Sequence, residues 1–189
     1  MASQLIFCSH PEVRIDPYVP VTRWGLSDMG RDRMETFASS PAVANVAQVV
    51  SSSETKALEA ASVVAIRSGI CVEVRADLGE NDRTATGFVP PHEFEQLADA
   101  FFAEPEGSIS GWETAAAAQA RILKASADLV NATTDGDILI VAHGGVGTLL
   151  YCALVGEPIS RSFDQPHQGC YFVIDRRTGQ PIHRWKSIT

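Results

Sequence analysis

DILIVAHGGVGTLL, residues 137–150, is the stretch that decides the fold of this chain. Its first part, Asp137 to Ala142, is almost entirely apolar and rich in β-branched residues, which predicts a buried strand. His143 and two glycines follow at once, and Gly147 to Leu154 is predicted as a helix. A buried strand that runs through a short glycine-containing turn into a helix is typical of a parallel α/β sheet.

The same alternation of strand and helix continues along the chain. Buried strands are predicted at Gln4 to Cys8, Val46 to Val50 and Ile70 to Arg75. Helices are predicted over 30–38 (with Ser27 as the N-cap), 53–68, 92–102 and 112–130, and a closing hairpin over 169–175 and 182–186. We therefore expect one domain over 1–189, a three-layer α/β/α sandwich with a mostly parallel central sheet and an antiparallel edge.

Composition narrows the classes of partner. The chain has 189 residues, 45% of them hydrophobic and 20% charged, and a formal net charge of -8. A diffuse acidic charge disfavours nucleic acid and anionic membrane as partners, although a local pocket on such a protein can still bind a small anion. No run of about 18 apolar residues and no signal peptide is visible. We expect a soluble cytoplasmic protein and leave its oligomeric state open.

Motifs for several other kinds of site are missing from the sequence. No two of the four cysteines form a C-x-x-C pair, and the spacings of His10, His143 and His167 fit no local metal motif. The chain has no G-x-x-x-x-G-K-[ST] sequence, and the glycines after His143 do not follow the G-x-G-x-x-G pattern. We therefore predict neither a metal nor a cofactor.

Two histidines follow apolar strands directly. His10 comes after the strand at Gln4 to Cys8, separated from it only by Ser9, and His143 comes after Asp137 to Ala142. Ligands of open α/β sheets bind at the carboxyl ends of the strands. We therefore expect the two imidazoles to meet at that edge, on adjacent parallel strands, about one phosphate diameter apart.

Four segments, in the same order, match the motifs of one protein family. Residues 9–12 (SHPE) correspond to Arg-His-Gly-Glu after a first strand, and residues 24–30 (WGLSDMG) to Trp-x-Leu-Ser/Thr-x-x-Gly. Residues 51–61 (SSSETKALEAA) correspond to Ser-Ser-Pro-Leu-x-Arg-Ala-x-Gln-Thr-Ala, and the segment around His143 to strand-His-Gly-Gly. In these segments the chain resembles the histidine phosphatase superfamily, whose members have a phosphoglycerate mutase-like fold.

The resemblance implies a chemistry and a set of residues. It implies a phosphomonoesterase that acts through a phosphohistidine intermediate on a small phosphorylated molecule. His10 is then the nucleophile and His143 its partner at the phosphate. Glu80, in the loop after the third strand, is expected to be the general acid, with Asp82 as the competing carboxylate.

The phosphate-binding residues are where the chain departs from the family motif. Ser9 and Lys56 stand in the positions of two arginines, and Pro11 in that of a glycine. The expected phosphate-binding residues are Ser9, Lys56, the Gly144 amide at a helix N-terminus, and Arg14 as a replacement cation, with Arg23 and Arg83 as further loop cations. Two hypotheses remain: an active phosphatase with a rearranged pocket, or a weak or inactive relative that binds an anion or a protein.

Overall fold

The computed structural model describes residues 3–132 and 135–189. In these residues seven strands form one sheet, and five α-helices pack against it. The strands are β1 (Gln4–Ser9), β2 (Val46–Ser51), β3 (Val72–Val74), β4 (Asp137–Ala142), β5 (Cys170–Asp175), β6 (Gln180–Pro181) and β7 (Lys186–Ser187). The helices are α1 (Asp28–Ala38), α2 (Thr55–Ser68), α3 (Pro91–Ala103), α4 (Ala115–Val130) and α5 (Gly144–Val155).

The sheet is parallel at its centre and antiparallel at one side. Its order is β3-β2-β4-β1-β5-β6, and β7 also pairs with β5. The pairs β2–β3, β2–β4 and β1–β4 are parallel, whereas β5 runs antiparallel to β1. This confirms the predicted three-layer α/β fold with its mostly parallel sheet.

Apolar side chains cover both faces of the sheet, which is why its central strands read as continuous hydrophobic runs. Along β1, Leu5 and Phe7 join a core formed with α3, α4 and α5, whereas Ile6 and Cys8 join a second core formed with α1 and α2. All four side chains are fully buried. Burial on both faces fixes the register of β1, because a slip of one residue would exchange the two sets of side chains.

The register of β1 against β4 carries the two histidines to one place. Ser9 pairs with Ala142, the last residues of the two parallel strands. The next residues along the chain are His10 and His143, and the His10 amide donates to the Ala142 carbonyl at 3.0 Å. Strand pairing therefore places both histidines at the carboxyl edge of the sheet.

The ends of several elements differ from the sequence prediction. Ser27 is the N-cap of α1 as predicted, its side chain accepting from the Gly30 amide. In contrast, α2 begins at Thr55 rather than Ser53, with Glu54 as its N-cap, and α5 begins at Gly144 rather than Gly147. Strand β3 is limited to Val72–Val74.

The predicted strand over 182–186 is wrong. The chain forms only the two-residue strands β6 and β7 there. Pro181 lacks an amide hydrogen for a longer ladder. The Trp185 ring packs against Phe7 and Phe172, and its indole nitrogen donates to the Phe163 carbonyl at 3.0 Å. Because of these contacts, the segment between β6 and β7 does not continue the hydrogen-bonded pairing with β5.

None of the helices formed by the described residues combines the length and the apolar composition that crossing a membrane requires.

Candidate active site

The two histidine rings face each other at the carboxyl edge of the sheet. Their centroids are 5.2 Å apart, and the ring planes meet at 71°. The expected geometry of adjacent parallel strands and neighbouring imidazoles is therefore confirmed. Both imidazoles are thus close enough to contact the same small group.

Backbone contacts hold the segment that carries His10. The Gly169 amide donates to the His10 carbonyl at 3.1 Å. Arg33 binds the Glu12 carboxylate at 2.6 Å and also donates to the Gly169 carbonyl at 3.1 Å. Gly30 lies so close to the Glu12 carbonyl that a side chain at this position would collide with it. The turn after β1 is thus fixed by α1 and by the segment before β5.

The environment of His10 sets its tautomer and its charge. Nδ1 lies 2.9 Å from the Pro11 carbonyl oxygen, which only accepts, so this nitrogen carries the hydrogen. In the neutral ring Nε2 then holds a lone pair. Burial lowers the pKa of His10 to about 3, with further lowering by His143 and Lys56. The ring is closely surrounded by protein but still partly exposed, so at neutral pH it is uncharged and can be reached from solvent.

His143 is fully buried, and of its two ring nitrogens only Nε2 has polar neighbours among the described residues. Its Nε2 lies 2.7 Å from Ser52 Oγ and 3.3 Å from Glu54 Oε1. Its Nδ1 has no hydrogen-bond partner among the described residues. Burial lowers the pKa of His143 to about 3; Glu54 opposes this shift, and Lys56 adds to it. His143 is therefore neutral at physiological pH.

Glu54 and Lys56 form a buried ion pair beside the histidines. The Lys56 ammonium lies 2.5 Å from Glu54 Oε2 and donates to the Val21 carbonyl at 2.8 Å. Burial acts to raise the pKa of Glu54, but the charges of His143 and Lys56, together with hydrogen bonds from the Lys56 ammonium and the Glu80 amide, lower it to about 2. Since His143 is uncharged at neutral pH, Lys56 supplies the attraction there. The lysine expected to bind phosphate is thus engaged by a carboxylate.

The Glu80 carboxylate lies over the first turn of α5. It accepts from the Gly145 amide at 3.1 Å and from the Val146 amide at 3.0 Å, while the Glu80 amide donates to Glu54 Oε1 at 3.1 Å. Helix N-termini favour negative groups because their amides and the helix dipole point outward. The helix end expected to receive phosphate therefore already holds a carboxylate of the protein.

Glu80 also lines a cavity of about 540 Å³ outside the histidine pair. Asp82, Trp112, Glu113 and Arg121 line the same cavity. Arg121 is bound to Glu113 at 2.7 Å and donates to the Glu80 carbonyl at 3.3 Å. Glu80 therefore contacts the first turn of α5, which follows His143, and also borders this cavity.

The other three residues expected to bind phosphate, Ser9, Gly144 and Arg14, differ from one another in burial and in their contacts. Ser9 is fully buried, with Oγ 2.5 Å from Gln165 Oε1 and 3.1 Å from the Cys170 amide, which donates to it. Gly144 lies so close to the end of the Gln165 side chain that this side chain would have to move to admit a larger residue. Arg14 is exposed and lies 3.6 Å from Asp28. The contacts of the described residues do not bring Arg14 to the histidines.

Another loop cation is closer to the site than Arg14. The Arg83 guanidinium stacks over Phe94 at 5.0 Å and over Trp112 at 5.5 Å. Its charge helps to lower the pKa of His143. Within residues 3–132 and 135–189 no ion pair involves Arg83. Its charge is therefore not neutralised by a carboxylate in the described residues.

Sequence reasoning missed Glu54 and the role of Ser52. Both were treated as part of the strand end or of the helix starting at Ser53, whereas Glu54 is extended, with φ -79° and ψ 139°. A carboxylate two residues before Lys56, at the end of a buried strand, was the available signal.

Comparison with known proteins places this site in a family. The family model for the histidine phosphatase superfamily (branch 1) matches residues 16–187. The first histidine motif, residues 9–12, precedes that range. No curated protein matches the chain.

Solved structures of phosphatases share the fold. A mycobacterial glucosyl-3-phosphoglycerate phosphatase superposes with a TM-score of 0.77 at 19% identity, covering 98% of both chains. A putative alpha-ribazole-5'-P phosphatase from Escherichia coli gives 0.74 at 20% identity, covering 100% of this chain and 98% of the other. A phosphoserine phosphatase from Entamoeba histolytica, in complex with 3-phosphoglyceric acid, gives 0.76 at 18% identity, covering 98% and 97%.

The mycobacterial phosphatase has also been solved with inorganic phosphate and with VO3, at TM-scores of 0.77 in both cases. At about one-fifth identity these likenesses show a common fold, and the family match covers most of the sequence. On the strength of that match, this chain belongs to the histidine phosphatase superfamily.

Proposed function

We propose that this protein is a phosphomonoesterase that acts through a phosphohistidine on His10. The observation that carries the proposal is the hydrogen bond from His10 Nδ1 to the Pro11 carbonyl at 2.9 Å. It leaves the Nε2 lone pair of a neutral ring beside His143, with the ring centroids 5.2 Å apart. A neutral, oriented imidazole is what nucleophilic attack on phosphorus requires.

The proposed reaction has two steps. His10 Nε2 attacks the phosphorus, the bond between phosphorus and the ester oxygen breaks, and Glu80 gives its proton to the departing alcohol. Water then attacks the phosphohistidine while Glu80 takes a proton from it, which releases phosphate and restores His10. Lys56 and the Gly144 amide are the proposed donors to the phosphoryl oxygens. Side chains and water suffice for both steps, so we propose no cofactor.

The named relatives support a small phosphorylated substrate. The three phosphatases compared above are named for glucosyl-3-phosphoglycerate, an alpha-ribazole phosphate and phosphoserine. The cavity of about 540 Å³ beside Glu80 is of a size for such a molecule. We propose that the cavity receives the alcohol part of the substrate while the phosphoryl group meets His10.

Trapping the intermediate tests the proposal. The protein is mixed with ³²P-labelled monoester, quenched in alkali within milliseconds and digested, and the labelled peptide is identified. We expect acid-labile phosphate on His10 in the wild type and in His92→Ala, because His92 is an exposed histidine of α3. Turnover without label on His10, or label on another residue, would overturn the mechanism.

The role of Glu80 is tested separately with two leaving groups. We expect Glu80→Gln to slow an alkyl phosphate about 100-fold and p-nitrophenyl phosphate much less, because a good leaving group needs little protonation. Asp82→Asn tests the competing carboxylate, and Glu35→Gln, an exposed change of the same kind on α1, is the matched control. Equal losses on both substrates would argue that Glu80 is not the acid.

One observation favours a second candidate, a relative that binds an anion or a protein without turnover. The Lys56 ammonium is held by Glu54 at 2.5 Å, and Glu80 accepts from the Gly145 and Val146 amides. Phosphate release from a panel of small monoesters separates the candidates. No release from any of them, together with shifts of His10 and His143 NMR signals on phosphate addition, would favour the second.

A further inference from the structure

The Glu54 carboxylate contacts both His143 and Lys56, two residues at which the proposed function places the phosphoryl group. Oε1 is 3.3 Å from His143 Nε2, and Oε2 is 2.5 Å from the Lys56 ammonium. Glu54 is 9% exposed, and its pKa of about 2 keeps it ionised at neutral pH. Any phosphoryl group held between His10 and Lys56 must therefore share the pocket with a fixed negative charge.

The charged groups that face this position come from three parts of the fold: the start of α2, the loop after β3 and helix α4. Glu54 and Lys56 lie at the start of α2, and Glu80 lies in the loop after β3. Arg83 is stacked on Phe94 and Trp112, and Arg121 of α4 is bound to Glu113. His10 and His143 are uncharged above about pH 4, since their pKa values are about 3. Of these groups, Glu54 lies 3.3 Å from His143 Nε2 and Lys56 is bound to it, while the charges of Arg83 and Arg121 also act on His143.

We propose that Glu54 is a specificity-determining residue that makes the site select the singly protonated, monoanionic form of a phosphate monoester. The substrate's P–OH group donates its hydrogen to Glu54 Oε1, while the remaining oxygens face Lys56 and the α5 N-terminus. A dianion lacks that hydrogen and meets the carboxylate as a like charge instead. This inference rests on the proposed phosphatase function and specifies which ionic form of the substrate the site binds.

A distinctive pH dependence follows. Monoesters lose their second proton with a pKa of about 6, so the monoanion becomes scarce above that pH. In the wild type kcat/KM should fall about tenfold per pH unit above the second pKa of the substrate. The histidines do not titrate in this range, because their pKa values lie near 3. The break should therefore follow the substrate and not the protein.

The kinetic test compares two monoesters in three proteins. The break should lie at a lower pH for p-nitrophenyl phosphate than for an alkyl phosphate, by the difference between their second pKa values. Glu54→Gln should flatten the fall and raise kcat/KM at pH 8 by about 10- to 100-fold, the effect of one like charge at contact distance. Glu35→Gln, an exposed change of the same charge on α1, should behave as the wild type. A break at the same pH for both esters would overturn the proposal.

Binding of inorganic ions separates this proposal from the proposed function. Sulfate stays a dianion between pH 5 and pH 8. Phosphate is mainly a dianion at pH 8 and gains a proton as the pH falls to 5. Wild-type protein should bind phosphate more tightly than sulfate at pH 5 by about tenfold, and Glu54→Gln should bring the two affinities together. This pattern without turnover of any ester would refute the phosphatase and keep the charge selection. Turnover with equal affinities for both ions would refute the charge selection alone, and the wild-type measurements decide even if Glu54→Gln fails to fold.

Discussion

The histidine side of the site and its cation side are built in different ways. His10 and His143 follow the paired strand ends Ser9 and Ala142, so the backbone ladder of two buried strands places them. The Lys56 ammonium is instead held by two contacts. It forms an ion pair with Glu54, which precedes the first residue of α2, and it donates to the Val21 carbonyl. One side depends on strand pairing, and the other depends on contacts between side chains and loops.

This difference explains why the sequence motifs predict the position of the histidines correctly but not the contacts of the lysine. A strand followed by a histidine carries its geometry with it, because parallel strands end at the same edge. A cation does not carry its partner with it: Lys56 was expected to face a ligand and instead faces a carboxylate. A cation at the motif position of an arginine can therefore be engaged by a carboxylate of the protein and not be free to bind a ligand.

The largest effect we expect is on the histidine side. His10→Ala should lower kcat by about 10⁴-fold or more, as removal of a catalytic nucleophile does. The measurement is release of p-nitrophenol with purified protein, and His92→Ala serves as the control. A His10→Ala protein that retains a tenth of wild-type turnover would show that strand pairing places the two rings for some other purpose.

The cation side should be tested by stability. Lys56→Met leaves the Glu54 carboxylate buried without its cation, and we expect a loss of about 3–5 kcal/mol in the free energy of unfolding. Adding Glu54→Gln should recover part of that loss. Lys124→Met is the control, because Lys124 and Asp128 form an exposed pair at 3.4 Å that is worth about 0.5 kcal/mol or less. Urea unfolding measures these variants together with the wild type and the single variant Glu54→Gln, and purely additive losses would contradict a coupled pair.

The buried histidines should make the fold sensitive to mild acid. Their folded pKa values of about 3 lie below the unfolded value of 6.5, so the unfolded chain binds protons first. Stability is then full above pH 6.5 and falls as the pH drops toward 3, by about 1.4 kcal/mol per pH unit for each histidine. Between pH 6.5 and pH 5 each costs about 2 kcal/mol.

Urea midpoints across this pH range measure the effect, and His143→Gln should reduce the slope by about half. Glu54 does not interfere, because its folded pKa of about 2 is lowered from 4.5 and its contribution is lost only as the pH falls below about 4.5. An unchanged slope in His143→Gln would mean that this ring is charged in the folded protein.

The sequence predicts the sheet well because burial on both faces leaves a strong pattern. The runs at Gln4–Ser9 and Asp137–Ala142 are apolar except for polar residues at their ends, and the histidine that follows each is visible at once. Helix ends are less visible. Helix α5 starts at Gly144 although glycine disfavours helices, because its first-turn amides are held by Glu80 from a distant loop.

At the site itself, the position of Glu54 also depends on a helix end that the sequence does not predict. Residues two apart do not face each other on a helix, so a helix starting at Ser53 would keep Glu54 and Lys56 apart. The helix starts at Thr55, and the extended backbone of Glu54 turns its carboxylate toward both Lys56 and His143. A shift of two residues in a helix boundary therefore decides the charge of the pocket.

The smallest expected effects distinguish the loop cations. Arg14 has a side chain that is 73% exposed, and its partner Asp28 is 98% exposed, so the pair is screened by solvent. We expect Arg14→Ala to change kcat/KM less than about twofold. Arg83→Ala should lower it about tenfold, because the Arg83 charge acts on His143 and its stacking over Phe94 and Trp112 holds it near the site. Steady-state kinetics at low salt measure both changes, with Arg31→Ala, an exposed arginine of α1, as the control. If Arg14→Ala has the larger effect, Arg14 must leave Asp28 to reach the phosphoryl group, and the cation side is completed only when substrate binds.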